Sequence, residues 1–215
     1  MRPFANRVDG GRQLASALAA FQGRTDLLVL GLPRGGVPVA AEVARALGAP
    51  LDVFLVRKIG VPGHEELAMG AIAEGGVVVL NDRLIAELGI PAVFVNQVAA
   101  RERVELERRQ QAYRGNRMSP DVTARTVIVV DDGLATGATM EAAILALKRL
   151  GPAAVIAAAP VGAGETCARL RTHADQVVCA EVPDDFGAVG EWYRDFDQTT
   201  DEEVRRLIAA ADPKP

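Results

Sequence analysis

The chain has 215 residues, of which 49% are hydrophobic, and it carries a formal net charge of −4. This length suits one α/β domain with a substantial core, and the apolar content is that of a globular protein rather than a disordered one. The acidic balance argues against a nucleic-acid-binding protein, which usually presents a basic face. The N-terminus has no hydrophobic export segment, and no apolar run approaches the ~20 residues of a membrane helix, so we expect a cytoplasmic protein without membrane contact.

Strand-like runs alternate with helical ones along the chain. This alternation predicts an α/β fold, with a doubly wound parallel sheet of about five strands. Apolar residues repeat at helical spacing over 39–47 and 140–147, and a further helix is predicted over 165–171. The predicted strands are 27–31, 51–56, 76–80, 126–130, 153–159 and 176–180.

Three segments lie outside this alternation. Residues 1–25 include an apolar helical stretch, and residues 181–215 form a tail with an acidic, aromatic start and a helical end. Residues 82–118 are predicted as a charged helical insertion, in which three Arg/Glu pairs at i,i+4 spacing indicate a solvated face. No internal repeat is visible, so we expect a single domain over 1–215 with its core at about 26–180.

The potential metal ligands are few. Cys167 and Cys179 are the only cysteines, and His64 and His173 show no metal-ligand spacing. We therefore expect two buried thiols in a reducing compartment and no direct metal site on these residues.

One stretch carries most of the chemistry. Residues 127–139 read Val-Ile-Val-Val-Asp-Asp-Gly-Leu-Ala-Thr-Gly-Ala-Thr, a buried strand followed by an acidic pair, a small-residue loop and a helix. Ligands of open parallel sheets sit at the carboxyl ends of the strands, and free amides at a helix start attract anions. The loop residues predicted to hold a phosphate are Gly133, Leu134, Ala135, Thr136, Gly137, Ala138 and Thr139.

Two adjacent carboxylates are unexpected directly before a phosphate-binding loop, because Asp131 and Asp132 repel each other and would repel a bare phosphate. A ribose 5-phosphate accounts for them, because its 2- and 3-hydroxyls can donate to the acids while its phosphate sits in the loop. The alternative is that Asp131 is a cap or turn residue and Asp132 is solvated. No lysine follows the loop, so it is not the nucleoside-triphosphate loop.

This stretch resembles the phosphoribosyl pyrophosphate signature of the type I phosphoribosyltransferases, and Val-Asp-Asp-Gly-Leu-Ala-Thr-Gly-Ala-Thr-Met at 130–140 is especially similar to the adenine phosphoribosyltransferase version. The resemblance implies a hood built from terminal segments, with 181–215 as part of it. It also implies Mg²⁺ carried mainly by the substrate, with Asp131 or Asp132 contacting it through water, and a homodimer. It does not identify the acceptor.

Two further segments fit the family pattern. Gly-Leu-Pro-Arg-Gly-Gly at 31–36 can converge amides on an anion, with Arg34 adding donors beside Gly35 and Gly36. In the family this loop binds pyrophosphate and often has a non-proline cis peptide, here at Pro33–Arg34; the alternative is an ordinary turn. Arg57 and Lys58 resemble the start of the family's mobile closing loop, which would be 59–69 here, and the resemblance implies that both bind pyrophosphate. This loop has no further Lys or Arg.

Two predictions concern the acceptor. Glu74 resembles by position the acid that handles the proton on the base, although a turn glutamate is an equally good interpretation. The aromatic residues Phe186, Trp192 and Tyr193 of the tail could stack on a base, although clustered aromatics more often form a small core.

The resemblance implies transfer of a 5-phosphoribosyl group from phosphoribosyl pyrophosphate to a nitrogen acceptor, expected to be a nucleobase, with release of pyrophosphate. Small molecules and Mg²⁺ are then the expected ligands, with Asp131, Asp132 and Glu74 catalytic. An alternative is a regulator of the same fold that senses the ligand without catalysis. A dinucleotide oxidoreductase would need G-x-G-x-x-G after the first strand, and residues 31–36 do not supply it.

Overall fold

The computed structural model describes residues 3–115 and 117–211. A five-stranded, fully parallel sheet forms the centre, in the order β2-β1-β6-β7-β8. The predicted doubly wound α/β fold is confirmed. The strands of this sheet are β1 (Leu27–Gly31), β2 (Leu51–Val53), β6 (Thr126–Val130), β7 (Ala154–Val161) and β8 (Gln176–Glu181).

Strands β1 and β6 determine where the site lies. Both are buried along their whole length, and they pair residue by residue from Leu27 opposite Thr126 to Gly31 opposite Val130. Because the strands are parallel and in register, they end at the same edge of the sheet. The loops after them, 32–35 and 131–137, therefore lie side by side.

Helices cover both faces of the sheet. The alternation of side chains along β1 sends Leu27 and Val29 into one core and Leu28 and Leu30 into the other. The first core is closed by α1 (Arg7–Ala17) and α2 (Gly36–Leu47), and the second by α5 (Ala138–Arg149) and α6 (Gly164–Leu170). Burial on both sides explains why these strands are continuously apolar.

A second, antiparallel sheet corrects two predictions. Residues 78–80 do form a strand, β5 (Val78–Leu80), but it pairs with β4 (His64–Ala73) and not with the parallel sheet. Residues 59–69, predicted as a mobile loop, mostly belong to the hairpin of β3 (Val56–Val61) and β4. The glycines, Pro62 and charges suggested a loop, but they mark a hairpin turn in which Gly63 adopts φ +76°.

The 82–118 segment is helical as predicted, with α3 (Asp82–Glu87) and α4 (Ala92–Arg114). The segment was expected to present a solvated face, but one side of α4 is buried: Val95, Leu106 and Tyr113 pack in one core with the hairpin. Of the three predicted i,i+4 pairs, the described contacts include the one between Glu105 and Arg109, at 2.8 Å.

The terminal segments meet each other. The amide of Phe4 donates to the Trp192 carbonyl at 2.8 Å, and the Arg194 amide donates to the Phe4 carbonyl at 2.9 Å. The tail also forms α7 (Asp201–Ala211), whose Val204 and Ile208 are buried in the same core as residues of α4. No helix in the described residues is long and apolar enough to cross a membrane.

Candidate functional site

The acidic pair lies where the two loops touch. A Cβ on Gly36 would be 2.5 Å from the Val130 carbonyl oxygen and 2.8 Å from the Asp131 Cα, and a Cβ on Gly35 would overlap the Asp132 carboxylate. Only glycine allows this approach, because any larger residue would push the loops apart. Asp131, Asp132, Gly35 and Gly36, all predicted from sequence, therefore share one small region.

Asp131 is only partly exposed. Burial, and then the negative charge of Asp132, raise its pKa well above the ordinary range for an aspartate. One Asp131 oxygen, Oδ1, accepts a hydrogen bond from the Asp132 amide at 2.9 Å. Asp131 thus keeps its proton to higher pH than a free carboxylate would, which lessens its repulsion towards an anionic ligand.

Asp132 is held by residues from both ends of the chain. Arg7 donates from Nε to Asp132 Oδ2 at 2.8 Å and from Nη1 to the Asp197 carbonyl at 2.6 Å, and its guanidinium lies 3.9 Å above the Phe196 ring centre. The Tyr193 hydroxyl donates to the Asp132 carbonyl at 2.5 Å. Sequence analysis missed Arg7, since no motif links positions 125 residues apart.

The loop at 133–139 divides into an anchored start and an exposed end. Leu134 is buried, and its amide donates to the Val161 carbonyl at 2.9 Å, so this amide is already used within the protein. Further along, the Thr166 hydroxyl donates to the Ala135 carbonyl at 2.5 Å. Thr136 and Thr139 are exposed, so both hydroxyls can reach a ligand, and the Thr136 hydroxyl also accepts a hydrogen bond from the Ala138 amide at 3.5 Å.

Gly137 begins α5 with φ +67°, a conformation that favours glycine. The amides of the first helical turn after it have no acceptor within the helix and carry the positive end of the helix dipole. This geometry suits a phosphate beside residues 135–139, and phosphate binding there stays a prediction. Leu134 was predicted to contribute as well, but its side chain is buried and its amide is bound to Val161.

The first loop has the cis peptide at Pro33–Arg34 that the resemblance implied. The Arg34 guanidinium is partly exposed and lies 3.8 Å from Asp201 of α7, measured from Nη1 to Oδ1. The Tyr113 hydroxyl donates to the same Asp201 oxygen at 2.9 Å, and burial together with this bond raises the pKa of Tyr113 to about 12. Asp201, which the sequence did not single out, thus lies beside a predicted anion-binding arginine.

Arg57 and Lys58 line a cavity of about 540 Å³. This cavity also reaches Pro33 in the first loop and Thr139 in the second, so it connects the predicted pyrophosphate and phosphate residues. Helix α4 closes its other side with Arg101, Glu102 and Arg109.

Glu74 is buried in an ion-pair network. Its carboxylate accepts from the fully buried guanidinium of Arg114 and from the Ser119 hydroxyl at 2.9 Å. Arg114 also donates from Nε to Asp52 Oδ1 at 2.9 Å. Glu74 borders a smaller cavity of about 130 Å³ and not the one shared by Arg57 and Thr139. These contacts favour a structural role, and proton transfer by Glu74 stays a prediction.

The tail aromatics pack together. Tyr193 is buried, with its ring centre 5.4 Å from that of Phe4 and 5.0 Å from that of Phe196. Trp192 and Phe186 pack against the same cluster. This is the small core that the sequence left open as the alternative, and base stacking on these rings stays a prediction.

The two cysteines lie beneath the phosphate loop. Their Sγ atoms are 3.4 Å apart, and both would crowd a Cβ on Gly162, which pairs with Leu134. The hydrogen bond from Cys179 lowers the pKa of Cys167 to about 7. Among the described residues, no cluster of three or more His, Cys, Asp or Glu side chains could hold a metal ion.

Comparisons with known proteins agree with this geometry. Residues 63–197 match the family model described as a phosphoribosyl transferase domain. The crystal structure of TT1426 from Thermus thermophilus is 45% identical and superposes with a TM-score of 0.91, covering 99% of this chain and 100% of that one. AQ2163 from Aquifex aeolicus is 12% identical, with a TM-score of 0.51 over 86% of this chain and 78% of that one, and it shares the fold.

Among curated proteins, Rv0571c from Mycobacterium tuberculosis H37Rv, provisionally named a phosphoribosyl transferase, is 48% identical over 98% of this chain. This chain covers 47% of that relative, so it spans about half the length of the curated proteins it matches. The family match covers most of the chain, and it contains both the acidic pair and the loop at 133–139. The chain therefore belongs to the phosphoribosyl transferase domain family.

Proposed function

We propose that this protein transfers a 5-phosphoribosyl group from phosphoribosyl pyrophosphate to a nitrogen acceptor and releases pyrophosphate. One observation carries the proposal: Asp131 and Asp132 lie between a loop that can hold a phosphate and the glycine pair at 35–36. An activated ribose ester has a phosphate at one end, hydroxyls in the middle and pyrophosphate at the other end. The phosphate, the hydroxyls and the pyrophosphate follow the same order as the loop at 135–139, the acidic pair and the glycine pair at 35–36.

The acidic pair orients the ribose. Asp132 accepts hydrogen bonds from a ribose hydroxyl, while Asp131 can donate or accept because its pKa is raised. As the bond to pyrophosphate breaks, positive charge grows on the ribose ring, and fixed carboxylates nearby stabilise that charge. Arg7 holds the Asp132 carboxylate in position, and it shares this carboxylate with the bound sugar.

The two ends of the donor are held by opposite loops. Residues 135–139 bind the 5-phosphate through amides and the hydroxyls of Thr136 and Thr139. Arg34 and the amides of Gly35 and Gly36 bind the departing pyrophosphate, with Arg57 and Lys58 on the hairpin beyond them.

The donor set suits Mg²⁺ carried by the substrate. The site offers two adjacent carboxylates, one of them already bound to Arg7, and Mg²⁺ is often held by one or two carboxylates together with substrate phosphates and water. Asp131 or Asp132 would contact the ion through water. A bound Mg²⁺ would supply neutralisation of the pyrophosphate charge.

The acceptor is proposed to be a nucleobase, and the protein is proposed to work in the cytoplasm as a homodimer. A screen of pyrophosphate release with the free bases and small amines tests the activity. Release that depends on both donor and acceptor supports the proposal. Binding of the donor without release under any acceptor would favour the non-catalytic sensor instead.

A further inference from the structure

The cavity between α4 and the hairpin has a wall of cations that the phosphate loops do not provide. Arg57 and Lys58 come from β3, and Arg101 and Arg109 come from α4. Glu102 is the one acidic side chain among the described residues that line it. At about 540 Å³ its volume is within the range of roughly 300–1,000 Å³ that is usual for small-molecule sites.

Carboxylates neutralise these arginines only in part. Glu102 contacts both Arg57, at 2.6 Å to Nη2, and Arg101, at 3.4 Å to Nη2. Glu105 likewise serves two arginines, Arg109 at 2.8 Å and Arg108 at 2.7 Å. Among these described contacts the three guanidiniums of the wall have two carboxylates, and one of these, Glu105, is shared with Arg108 outside the cavity. The wall therefore carries more positive charge than these two acids neutralise.

The nature of the wall indicates the kind of ligand. None of the described residues that line the cavity is aromatic, so a flat neutral base would find no ring to stack on. A guanidinium binds phosphate or carboxylate oxygens through paired hydrogen bonds, and several of them around one cavity suit a multiply charged oxyanion. Because Thr139 of the phosphate loop borders the same cavity, such an anion would lie beside the bound sugar.

We propose that the cavity binds an oxyanion with at least two negative charges, such as a diphosphate or a dicarboxylate, and that α4 supplies Arg101 and Arg109 to hold it. The anion binds Arg57 and Arg101 in place of Glu102. The Glu102 side chain then either moves away from these two arginines or shares them with the anion. This assigns a ligand-binding role to the helical insertion. It rests on the proposed function only for the identity of the anion, not for its binding.

Titration calorimetry with inorganic pyrophosphate tests the proposal without any need for turnover. We compare the wild-type protein with Arg101→Gln, Arg109→Gln and the double variant. Loss of charge-assisted hydrogen bonds should raise the Kd of the double variant by about tenfold or more. The matched control is Arg108→Gln, because Arg108 lies on the same helix and pairs with Glu105 but does not line the cavity.

Equal binding by the wild type and the double variant, or an equal loss in Arg108→Gln, would overturn the proposal. Repeating the titration with saturating phosphoribosyl pyrophosphate and Mg²⁺ identifies the source of the anion. Competition means that the cavity holds the donor's own pyrophosphate, and persistent binding means that it holds an anionic acceptor. Pyrophosphate binding that is sensitive to α4 would stand even if no acceptor supported pyrophosphate release.

Discussion

The variant Glu74→Gln distinguishes between a catalytic and a structural role for the Glu74 carboxylate. This carboxylate accepts hydrogen bonds from the Arg114 guanidinium, from the Ser119 hydroxyl at 2.9 Å and from the Leu55 amide at 3.3 Å. In Glu74→Gln the side-chain amide would put a donor where Arg114 or Ser119 already donates. The variant also leaves the fully buried Arg114 with Asp52 as its remaining described acid partner.

The expected cost follows from these contacts. A hydrogen bond to a charged group contributes about 1.5–3 kcal/mol, and Glu74→Gln weakens more than one, so we expect the free energy of unfolding to fall by about 3 kcal/mol. At roughly 2–4 °C per kcal/mol for a domain of this size, the Tm should fall by about 6–12 °C. Arg114→Met should cost about 3–5 kcal/mol, because it leaves Glu74 and Asp52 buried without a cation.

Thermal unfolding and pyrophosphate release together decide the role. We expect Glu74→Gln to be less stable but to release pyrophosphate at close to the wild-type rate when it is assayed well below its Tm. The control is Glu87→Gln, an exposed acid paired with Arg83 and remote from the cavity, whose loss should cost less than about 1 kcal/mol. A Glu74→Gln protein of normal stability whose turnover falls by about 100-fold or more would refute the structural assignment and support proton transfer.

Three further predictions follow from the site. Gly35→Ala should weaken donor binding by about tenfold or more, because the added Cβ overlaps the Asp132 carboxylate. Gly164→Ala is the control, because a Cβ there makes only ordinary van der Waals contacts, and it should leave donor binding unchanged. Titration calorimetry with the donor compares the two variants. Asp131→Asn should raise the free energy of unfolding at neutral pH, by about 1.4 kcal/mol for each unit by which the folded protein raises the wild-type pKa. The gain should vanish below about pH 4, where the wild-type carboxyl is protonated in both the folded and the unfolded state. Denaturant titrations at several pH values measure this, and a difference that does not change with pH would contradict it. Cys179→Ala should raise the pKa of Cys167 from about 7 towards that of a free thiol, as followed by the ultraviolet absorbance of the thiolate, and an unchanged titration would show that the hydrogen bond is not its cause.

Local patterns made the centre of the fold predictable. The apolar runs of β1 and β6 are bounded by turn residues, and their predicted limits of 27–31 and 126–130 agree with the structure. Since parallel strands carry their ligands at their carboxyl ends, the acidic pair and the glycine loop could be placed together from sequence. The cis peptide at Pro33–Arg34 followed from the family resemblance.

Contacts across the chain were not predictable in this way. Arg7 contacts Asp132, which is 125 positions away in the sequence. Arg101 and Arg109 of α4 line one side of a cavity, and Arg57 of β3 lines the opposite side. The charged pattern of α4 indicated a solvated helix, because periodicity does not show what packs against a helix. Residues 59–69 of the hairpin were taken for a loop, since glycine, proline and charge also occur at hairpin turns.

The central claim is that the acidic pair and its two loops bind an activated ribose ester. Titration calorimetry with phosphoribosyl pyrophosphate and Mg²⁺ measures this most directly, in the wild-type protein and in Asp131→Asn and Asp132→Asn. We predict saturable binding of one donor per chain, weakened by about tenfold or more in each variant. Absence of heat in the wild type, or equal affinity in all three proteins, would contradict it.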